Sequence, residues 1–308
     1  MIRVGIIGCG GMANSHAKWF KSIKGCRLTA CSDIVAGRAE AFAQKHEIPA
    51  AYEDAAAMLK REELDGVSIV TTDRAHAPMA LMAIRHGVNV MCEKPLADTL
   101  PAARRMAAAA KAKGVLTAVN FSYRNNPATQ EAARQVASGK LGRILHVEGC
   151  YLQAWLVSPA WGDWRKSEAL LWRLSTRHGS AGVLGDIGVH LYDLASFVVG
   201  DIAEIACELK TFDKGKRGIG PYVFDANDSA LALVRFRNGA AGALHKRLLD
   251  RVCVRKCDPH LYGVCQDWRI IPNLAKGPAF QIEQVDNRWL SNGSLNGNSI
   301  TSALLEGQ

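Results

Sequence analysis

The chain has 308 residues, of which 48% are hydrophobic and 22% charged, a composition typical of a soluble globular protein and not of a disordered or fibrous one. Its length suits two domains, each large enough to bury its own core. Basic residues outnumber acidic ones by 38 to 29, which gives a formal net charge of +9. The basic residues are scattered along the chain and do not form aromatic-interleaved blocks, so we expect an anionic cofactor or substrate and no nucleic acid.

Three further features bear on location. No stretch approaches the roughly 20 apolar residues of a transmembrane helix, so no membrane association is expected. The apolar stretch 1–7 is interrupted by Gly8, too early for a secretory signal. The nine cysteines are an odd number and lie mostly in apolar runs. These features predict a cytoplasmic protein with reduced thiols.

A glycine-rich motif follows the first apolar run. Residues 3–7 predict a strand and residues 15–20 a helix. The turn between them reads Gly8-Cys9-Gly10-Gly11-Met12-Ala13. In the G-x-G-x-x-G/A motif the first glycine permits the tight turn, the second admits the pyrophosphate and the last small residue lets helix and strand pack closely. The residues assigned to cofactor contacts here are Gly8, Gly10, Gly11 and Met12. A tight turn with nothing bound is the alternative.

An acidic residue ends the second predicted strand, residues 27–32. Asp33 lies about twenty residues after the glycine motif, where a carboxylate accepts hydrogen bonds from the ribose hydroxyls of NAD. Its charge disfavours the 2′-phosphate of NADP, so NAD is the predicted cofactor. Ser32 and Arg38 keep NADP open, because both side chains are able to bind a phosphate. An Asp33 that only caps a helix is the alternative.

Strands and helices continue to alternate as far as residue 119. The other predicted elements of this half are strands 67–71, 88–92 and 115–119 and helices 36–45, 54–60, 78–86 and 101–113. Such alternation is typical of a doubly wound parallel sheet. Ligands of these sheets bind beyond the carboxyl ends of the strands, so Thr71 and His76 are expected to border the cofactor. By itself, His76 is better explained as a helix-start residue than as an acid or base.

The apolar run from Val88 to Cys92 ends in Glu93, Lys94 and Pro95. The run predicts a buried strand of the parallel sheet, and the proline fixes the turn after it. The strand end therefore delivers a carboxylate and a titratable ammonium to the ligand-binding edge, and we assign both Glu93 and Lys94 to the cofactor site. A solvated strand exit is the alternative explanation for this pair.

After about residue 120 strands predominate. They are predicted at 143–153, 202–212, 229–236 and 240–245. Their two-residue apolar period predicts an antiparallel sheet. A helix over 186–199 places Asp186 and His190 on one face, where the carboxylate favours the imidazolium and orients the ring, as acceptance of a hydroxyl proton requires. The alternative is an aspartate stabilised by the helix dipole and a histidine packed on the sheet.

Tryptophan and arginine are concentrated between residues 155 and 177. The residues concerned are Trp155, Trp161, Trp164, Trp172, Arg165, Arg173 and Arg177. Aromatic faces bind carbohydrate C–H groups and guanidinium groups bind hydroxyls or carboxylates, so this segment is expected to set specificity. Loop tryptophans also fill cores or mediate oligomer contacts, and that alternative stays open.

Together these motifs resemble the glucose-fructose oxidoreductase, inositol dehydrogenase and MocA family of sugar and polyol dehydrogenases. The resemblance covers residues 1 to about 245. It is carried by the glycine motif and by Thr71-Thr72 with His76, His86-Gly87, Glu93-Lys94-Pro95, Tyr123-Arg124-x-x-Pro127, Ser138-Gly139-Lys140-Leu141-Gly142 and Gly185-Asp186-x-x-x-His190-x-x-Asp193.

The resemblance implies an α/β fold. A doubly wound N-terminal Rossmann domain over residues 1–120 is followed, over 121–308, by a substrate-binding and oligomerisation α+β domain. That second domain has an open, mostly antiparallel sheet, and the active site is expected in the crevice between the domains. Because an open sheet leaves a face to cover, a homodimer or homotetramer is expected.

The resemblance also implies an NAD(P)-dependent dehydrogenase that moves a hydride between the nicotinamide and a secondary hydroxyl or carbonyl of a sugar, polyol or related compound. Lys94, Asp186 and His190 are then the catalytic group. His190 takes the hydroxyl proton, Lys94 stabilises the oxyanion and Asp186 orients His190. Whether Lys94 or His190 moves the proton stays open. A lyase or glycosidase that uses NAD transiently, or a non-catalytic NAD-binding regulator, are the rival functions.

The chain departs from the family pattern after residue 245. Residues 246–259 lack the expected strand pattern, so we expect an atypical end to the second domain and a sheet left short, as if the domain were truncated. Cys253, Cys257, His260 and Cys265 suggest zinc, but their spacing matches no standard pair of ligands, and no metal site is predicted.

Overall fold

The structure, a computed structural model, describes residues 1–157, 162–248, 265–272, 280–285 and 288–293. The chain divides into two compact units, Met1–Asn120 and Phe121–Gln308. Each unit is built on one main sheet with its own hydrophobic core.

The first unit is a parallel sheet of six strands in the order β3-β2-β1-β4-β5-β6, the doubly wound order with its switch point next to β1. Its strands are β1 (Ile2–Ile7), β2 (Cys26–Ser32), β3 (Ala50–Tyr52), β4 (Gly66–Ile69), β5 (Asn89–Cys92) and β6 (Thr117–Val119). Its helices are α1 (Ala13–Ser22), α2 (Arg38–His46), α3 (Ala55–Arg61), α4 (Asp73–Arg85) and α5 (Leu100–Lys113). The predicted Rossmann topology is confirmed.

Helices cover both faces of this sheet because its strands are apolar on both sides. Ile6 packs in one buried cluster with Phe42 of α2, and its neighbour Ile7 packs in a second cluster with Ile84 of α4. Two helix starts are capped by side chains. The Asp54 carboxylate accepts hydrogen bonds from backbone N–H groups at the start of α3, and the Thr99 hydroxyl does so for α5.

One helix in this unit begins more than a full turn before its predicted start. Helix α4 begins at Asp73 and not at Pro78, so Pro78 lies inside it and His76 lies in its first turn. A proline inside a helix removes one hydrogen bond and its ring crowds the carbonyl four residues before it, which is why the sequence favoured a helix start at Pro78. In α4 Pro78 lies in the second turn, so both effects fall near the start of the helix.

The second unit is built on a sheet of seven strands in the order β15-β14-β13-β7-β12-β11-β8. All its pairings are antiparallel except that of β7 with β12. These strands are β7 (Ile144–Leu152), β8 (Ile202–Lys210), β11 (Ser229–Phe236), β12 (Ala241–Arg247), β13 (Cys265–Pro272), β14 (Phe280–Val285) and β15 (Arg288–Gly293). A separate ribbon pairs β9 (Gly218–Ile219) with β10 (Tyr222–Val223). The mostly antiparallel sheet is confirmed.

The helices of this unit are α6 (Pro127–Ala137), α7 (Glu168–Leu171) and α8 (Val189–Val199). Helix α8 packs Leu191 and Leu194 against sheet residues such as Val147 and Val234 in the core of the unit. In the part of the chain that the structure describes, no helix has the length and apolar character of a membrane span.

The expectation that the second sheet stays short after residue 245 is wrong. Strand β13 pairs with β7, and β14 and β15 extend the sheet further. Strand β14 has the two-residue period of a strand, since Phe280 and Ile282 alternate with Gln281 and Glu283. The atypical residues 249–264 themselves lie outside the described residues.

A buried lysine lies in the core of the second unit. Lys246, on β12, is 0% exposed, and its Nζ lies 3.5 Å from the centroid of the Tyr192 ring. Its ammonium has no hydrogen-bond partner among the residues that the structure describes. Burial disfavours the charged form and lowers the pKa of Lys246 to about 8.

We expect Lys246→Met to stabilise the protein near neutral pH, because methionine has a similar length and no charge to bury. In the unaltered protein the folded-state pKa lies below the ordinary value, so the unfolded state binds more protons from about pH 8 to about pH 10.5, and stability rises through that window. The variant lacks this rise. Urea unfolding at about pH 7 and about pH 9.5 measures both effects.

Lys210→Met on β8 is the matched control, since the Lys210 side chain is exposed and its removal relieves no buried charge. A Lys246→Met protein that is less stable than the parent at neutral pH, or that keeps the alkaline rise, contradicts the expectation.

Candidate functional site

The glycine turn between β1 and α1 has the open backbone that a dinucleotide requires. Gly8 has a φ of +93°, its N–H donates to the Ser32 carbonyl, and a Cβ there would lie 2.6 Å from the Val70 oxygen. Only glycine fits at this position. At Gly10 and Gly11, by contrast, a Cβ would meet nothing within 4 Å. The backbone is therefore accessible at the N-terminal end of α1, where phosphate groups bind.

Asp33 ties the end of β2 to this turn. Its Oδ2 accepts a hydrogen bond from the Cys9 N–H at 2.8 Å, and its Oδ1 accepts one from the Val35 N–H at 2.9 Å. Arg38 Nη1 lies 3.5 Å from Oδ1. The Ser32 hydroxyl is buried and has no hydrogen-bond partner within the described part of the chain. An accessible turn beside a carboxylate and an unsatisfied hydroxyl fits the ribose and phosphates of a dinucleotide.

His76 joins the ends of two neighbouring strands. Its Nδ1 lies 2.6 Å from the carbonyl oxygen of Pro95, after β5, and its Nε2 lies 3.2 Å from that of Thr71, after β4. The ring is buried. His76 therefore holds the backbone at the carboxyl edge of the sheet, the edge at which the sequence predicts that Thr71 borders the cofactor.

Glu93 is buried at the end of β5. His16 Nε2 lies 2.8 Å from its Oε1, Asn120 Nδ2 donates to the same oxygen at 2.6 Å, and the Lys94 N–H donates to Oε2 at 3.2 Å. Burial raises the pKa of Glu93, but the hydrogen bonds from His16 and Asn120 and the nearby charges outweigh it, so the pKa lies below its usual range. The carboxylate is therefore charged, and both of its oxygens are occupied by protein groups. Lys94 itself is half-buried.

In the second unit, Asp186 and His190 lie in two different kinds of helix. Residues Leu184–Gly188, which include Asp186, form a π-helical turn, and His190 is the second residue of α8. The predicted α-helix over 186–199 therefore begins at Val189, and the helical i, i+4 argument does not hold across this junction. Arg173 Nε lies 3.5 Å from Asp186 Oδ1, an ion pair that the sequence did not reveal.

Two tyrosines surround His190. The Tyr123 ring lies 4.3 Å from the imidazole, centroid to centroid, and its hydroxyl is 2.7 Å from that of Tyr151. Gln153 also donates to the Tyr151 hydroxyl. Burial, the neighbouring Tyr123 and the charge of Asp186 together raise the pKa of Tyr151 well above its usual range. His190 is thus held in a buried aromatic setting that keeps a neutral phenol beside it.

Comparison with known proteins supplies the family. Residues 2–121 match the model described as the oxidoreductase family with an NAD-binding Rossmann fold, and residues 129–249 match the GFO/IDH/MocA C-terminal domain. The chain belongs to the GFO/IDH/MocA oxidoreductase family. The resemblance noted from the motifs is thereby confirmed, together with the NAD-binding class of the first unit.

Several GFO/IDH/MocA relatives are sugar dehydrogenases. The chain is 28% identical over 270 residues to levoglucosan dehydrogenase of Pseudarthrobacter phenanthrenivorans, covering 79% of this chain and 66% of that one. It is 32% identical over 247 residues to D-glucoside 3-dehydrogenase of Escherichia coli, covering 77% and 68%. It therefore spans about two thirds of the length of these curated relatives.

The fold is shared with a solved relative. The structure of levoglucosan dehydrogenase in complex with NADH and levoglucosan has a TM-score of 0.80 to this chain at 24% identity, covering 96% of this chain and 77% of that one. At this identity the likeness shows the fold alone.

Two positions of the GFO/IDH/MocA pattern that are distant in sequence form an ion pair in the structure. Arg124 donates from Nε and Nη2 to the two Asp193 oxygens, at 2.8 and 2.5 Å. This bidentate pair fixes the 3-10 turn Ser122–Asn125 to α8. It thereby also fixes Tyr123, whose ring contacts His190.

The tryptophan-rich segment serves the core as well as the surface. Trp155 and Trp164 are buried in the hydrophobic core, so the core-filling alternative holds for them. Trp172 is half-buried, with the Arg173 guanidinium 4.9 Å from its ring centroid. Trp161 lies outside the described residues. A cleft of about 480 Å³ borders the segment. It is lined by Trp164, Arg165, Lys214, Gly215, Lys216, Ile219 and Phe224.

The zinc alternative stays untested at its own residues. Cys253, Cys257 and His260 lie outside the described residues, as does the side chain of Cys265. Across the residues whose side chains the structure describes, no three His, Cys, Asp or Glu side chains converge as a metal site requires.

Substitutions at two glycines of the turn are expected to have different effects. Gly8→Ala places a Cβ against the Val70 carbonyl in a left-handed conformation, so it should destabilise the first unit. Gly10→Ala meets open space in the folded chain, so stability should stay unchanged while NADH binding weakens, because the methyl group occupies the approach to the phosphates. Thermal unfolding and NADH fluorescence titration separate these outcomes.

Gly114→Ala is the control for Gly8→Ala. Gly114 has a left-handed φ of +71°, but a Cβ there would meet nothing within 4 Å. It should cost less stability than Gly8→Ala and leave NADH binding intact. Normal NADH affinity in Gly10→Ala would show that the pyrophosphate does not approach this turn.

Proposed function

We propose that this protein is an NAD-dependent dehydrogenase that oxidises a secondary hydroxyl of a sugar, polyol or related compound, or catalyses the reverse reduction. The observation that carries the proposal is the accessible glycine turn bonded to Asp33, at the same carboxyl edge of the sheet as Lys94, which follows β5. The sugar dehydrogenases among its family relatives support the substrate class. NAD, when bound, supplies or accepts the hydride at C4 of its nicotinamide.

Proton transfer and stabilisation of the oxyanion are assigned to side chains of the protein. His190 accepts the hydroxyl proton, Lys94 stabilises the oxyanion that develops as the hydride leaves, and Asp186 sets the charge and orientation of His190. The aromatic packing of Tyr123 on His190 supports this assignment, because a proton acceptor must be held in a fixed orientation. Gly8, Gly10, Gly11, Met12, Asp33, Thr71 and His76 are proposed to hold the cofactor. Glu93 is buried and is proposed to contribute to the cofactor site through its hydrogen bond to the Lys94 backbone.

Substrate choice is proposed to depend on residues near Asp186. Arg173, which pairs with Asp186, and the adjacent Trp172 combine a guanidinium fork with an aromatic face. A panel of sugars and polyols assayed with NAD and NADP, read as absorbance of the reduced nicotinamide, tests the function. A product formed without net NADH would favour a lyase or glycosidase of the same family instead.

We further propose a homodimer or homotetramer formed through the second sheet. Leu231 and Leu233 on β11 are 53% and 68% exposed, while the alternate residues of this strand are buried. They pair across strands with Glu208 and Ala206 on β8. An exposed apolar patch of this kind is typical of a protein interface.

The free thiols of the described cysteines support a cytoplasmic setting as part of the same proposal.

We expect the unaltered protein to turn over faster with NAD than with NADP, because the Asp33 charge repels a 2′-phosphate. Asp33→Ser should lower the ratio of kcat/KM with NAD to kcat/KM with NADP, because Arg38 then has no carboxylate neighbour. The variant also loses the hydrogen bond to Cys9, so both cofactors should bind more weakly, and the ratio of kcat/KM values is the measurement. Asp54→Ala, which removes only a helix cap, is the control. Equal or faster turnover with NADP in the parent contradicts the assignment.

Lys94→Met and His190→Ala should each abolish most turnover and leave NADH binding nearly intact, because both residues are assigned to the reacting hydroxyl. Loss of a general acid or base costs about 10²- to 10⁴-fold in rate. His146→Ala removes a partly exposed histidine from β7 and serves as the control. A near-normal kcat in either variant, with the best substrate found, would show that the role given to that residue is wrong.

A further inference from the structure

A second buried histidine lies behind Lys94. His16 is on α1, the helix that follows the glycine turn, and is 0% exposed. Its Nδ1 lies 2.8 Å from Ser68 Oγ on β4, and its Nε2 lies 2.8 Å from Glu93 Oε1 at the end of β5. One side chain therefore links the cofactor-binding helix to two adjacent strands of the sheet.

The hydrogen-bond directions follow from the charge on Glu93. A carboxylate only accepts, so His16 Nε2 carries a proton and donates to it, while Nδ1 shares a hydrogen bond with the Ser68 hydroxyl, which can donate or accept. The 3.3 Å contact between His16 Nε2 and Asn120 Nδ2 then joins two donors and is not a hydrogen bond. Asn120 instead donates to Glu93 Oε1 at 2.6 Å.

The other oxygen of Glu93 reaches Lys94. Oε2 accepts a hydrogen bond from the Lys94 backbone N–H at 3.2 Å, and Glu93 as a residue is 7% exposed. A charge buried to this extent is costly unless its oxygens stay hydrogen-bonded, so the rotamer of Glu93 is tightly constrained. The constraint extends from His16, through Glu93, to the main chain of Lys94.

We propose that His16 is a positioning residue for catalysis: it orients Glu93, and Glu93 fixes the backbone from which Lys94 reaches the reacting hydroxyl. The inference rests on the proposed function, in which Lys94 stabilises the oxyanion. His16 is buried and has no contact with substrate in this scheme. It acts only through the geometry of Lys94.

The first test compares two substitutions of His16. Leucine is apolar and of similar size, so His16→Leu removes the donor to Glu93. Glutamine keeps an N–H donor at nearly the position of Nε2, so His16→Gln retains the bond to Glu93. Since a misplacement of about 1 Å can cost about 10²-fold in rate, kcat should fall by about 10- to 100-fold in His16→Leu and recover largely in His16→Gln. The NADH dissociation constant should stay within about threefold of the parent value in both.

A second histidine that bonds to α1 offers a matched control. His46 on α2 is also buried, and its Nε2 lies 2.8 Å from Asn14 Oδ1 on α1. His46→Leu therefore removes a partly buried hydrogen bond of the same length to α1 without touching Glu93. It should lower the melting temperature as His16→Leu does and leave kcat unchanged. A kcat loss of equal size in both variants would reduce the role of His16 to stability and overturn the inference.

Glu93→Gln tests the link by a second route, should His16→Leu fail to fold. The amide keeps the shape of the side chain, but with its oxygen towards His16 and Asn120 its NH₂ group meets the Lys94 N–H, and two donors cannot bond. We expect a kcat loss similar to that of His16→Leu. A kcat within about twofold of the parent in Glu93→Gln and in every folded His16 variant would overturn the inference.

A double-mutant cycle decides whether His16 acts through Lys94. In the Lys94→Met background, His16→Leu should cause no further loss of the residual rate, because the group it positions is absent. A further loss equal to that in the parent background overturns the inference. Should Lys94→Met alone retain near-normal kcat, the proposed function fails at Lys94. A large loss in Lys94→Met with none in His16→Leu removes only the positioning role.

Discussion

A charged carboxylate enclosed at the carboxyl edge of the parallel sheet constrains the whole of that edge. Glu93 keeps its charge because hydrogen bonds from His16 and Asn120 and nearby charges outweigh its burial, and the Lys94 backbone N–H bonds to its other oxygen. These partners come from α1, from the residue after β6 and from the end of β5. The glycine turn is fixed in a similar way by Asp33, which accepts from Cys9. Two buried carboxylates thus hold the loops at the edge where the cofactor is proposed to bind.

Features set by local chemistry were predictable from the sequence. A left-handed Gly8, a cap at Asp54 and a carboxylate at the end of β2 each depend on a few neighbouring residues, and the spacing of the motifs shows them directly. The doubly wound, parallel character of the first sheet followed from the alternation of strands and helices. The doubly wound fold therefore required no knowledge of long-range contacts.

Features set by long-range packing were not predictable. The π-helical turn at Asp186 precedes α8 where the sequence pattern alone suggested a regular helix. His16 is separated from Glu93 by most of the first unit in sequence, and a histidine inside an ordinary helix gives no signal of such a partner. The burial of Trp155 and Trp164 is likewise decided by the core around them, and their residue type is equally common at binding surfaces.

The parallel pairing of β7 with β12 has a consequence for how the second unit forms. Strands β11 and β12 are joined by a short turn, and β14 and β15 are close in sequence, so each pair can form locally. Strand β7 instead lies between β12 and β13, and both are synthesised long after it. During translation β7 therefore has no strand partner on either edge until β12 and β13 have been synthesised. Such an unpaired strand slows folding and favours association with other chains, so the nascent second unit has the greater need of a chaperone.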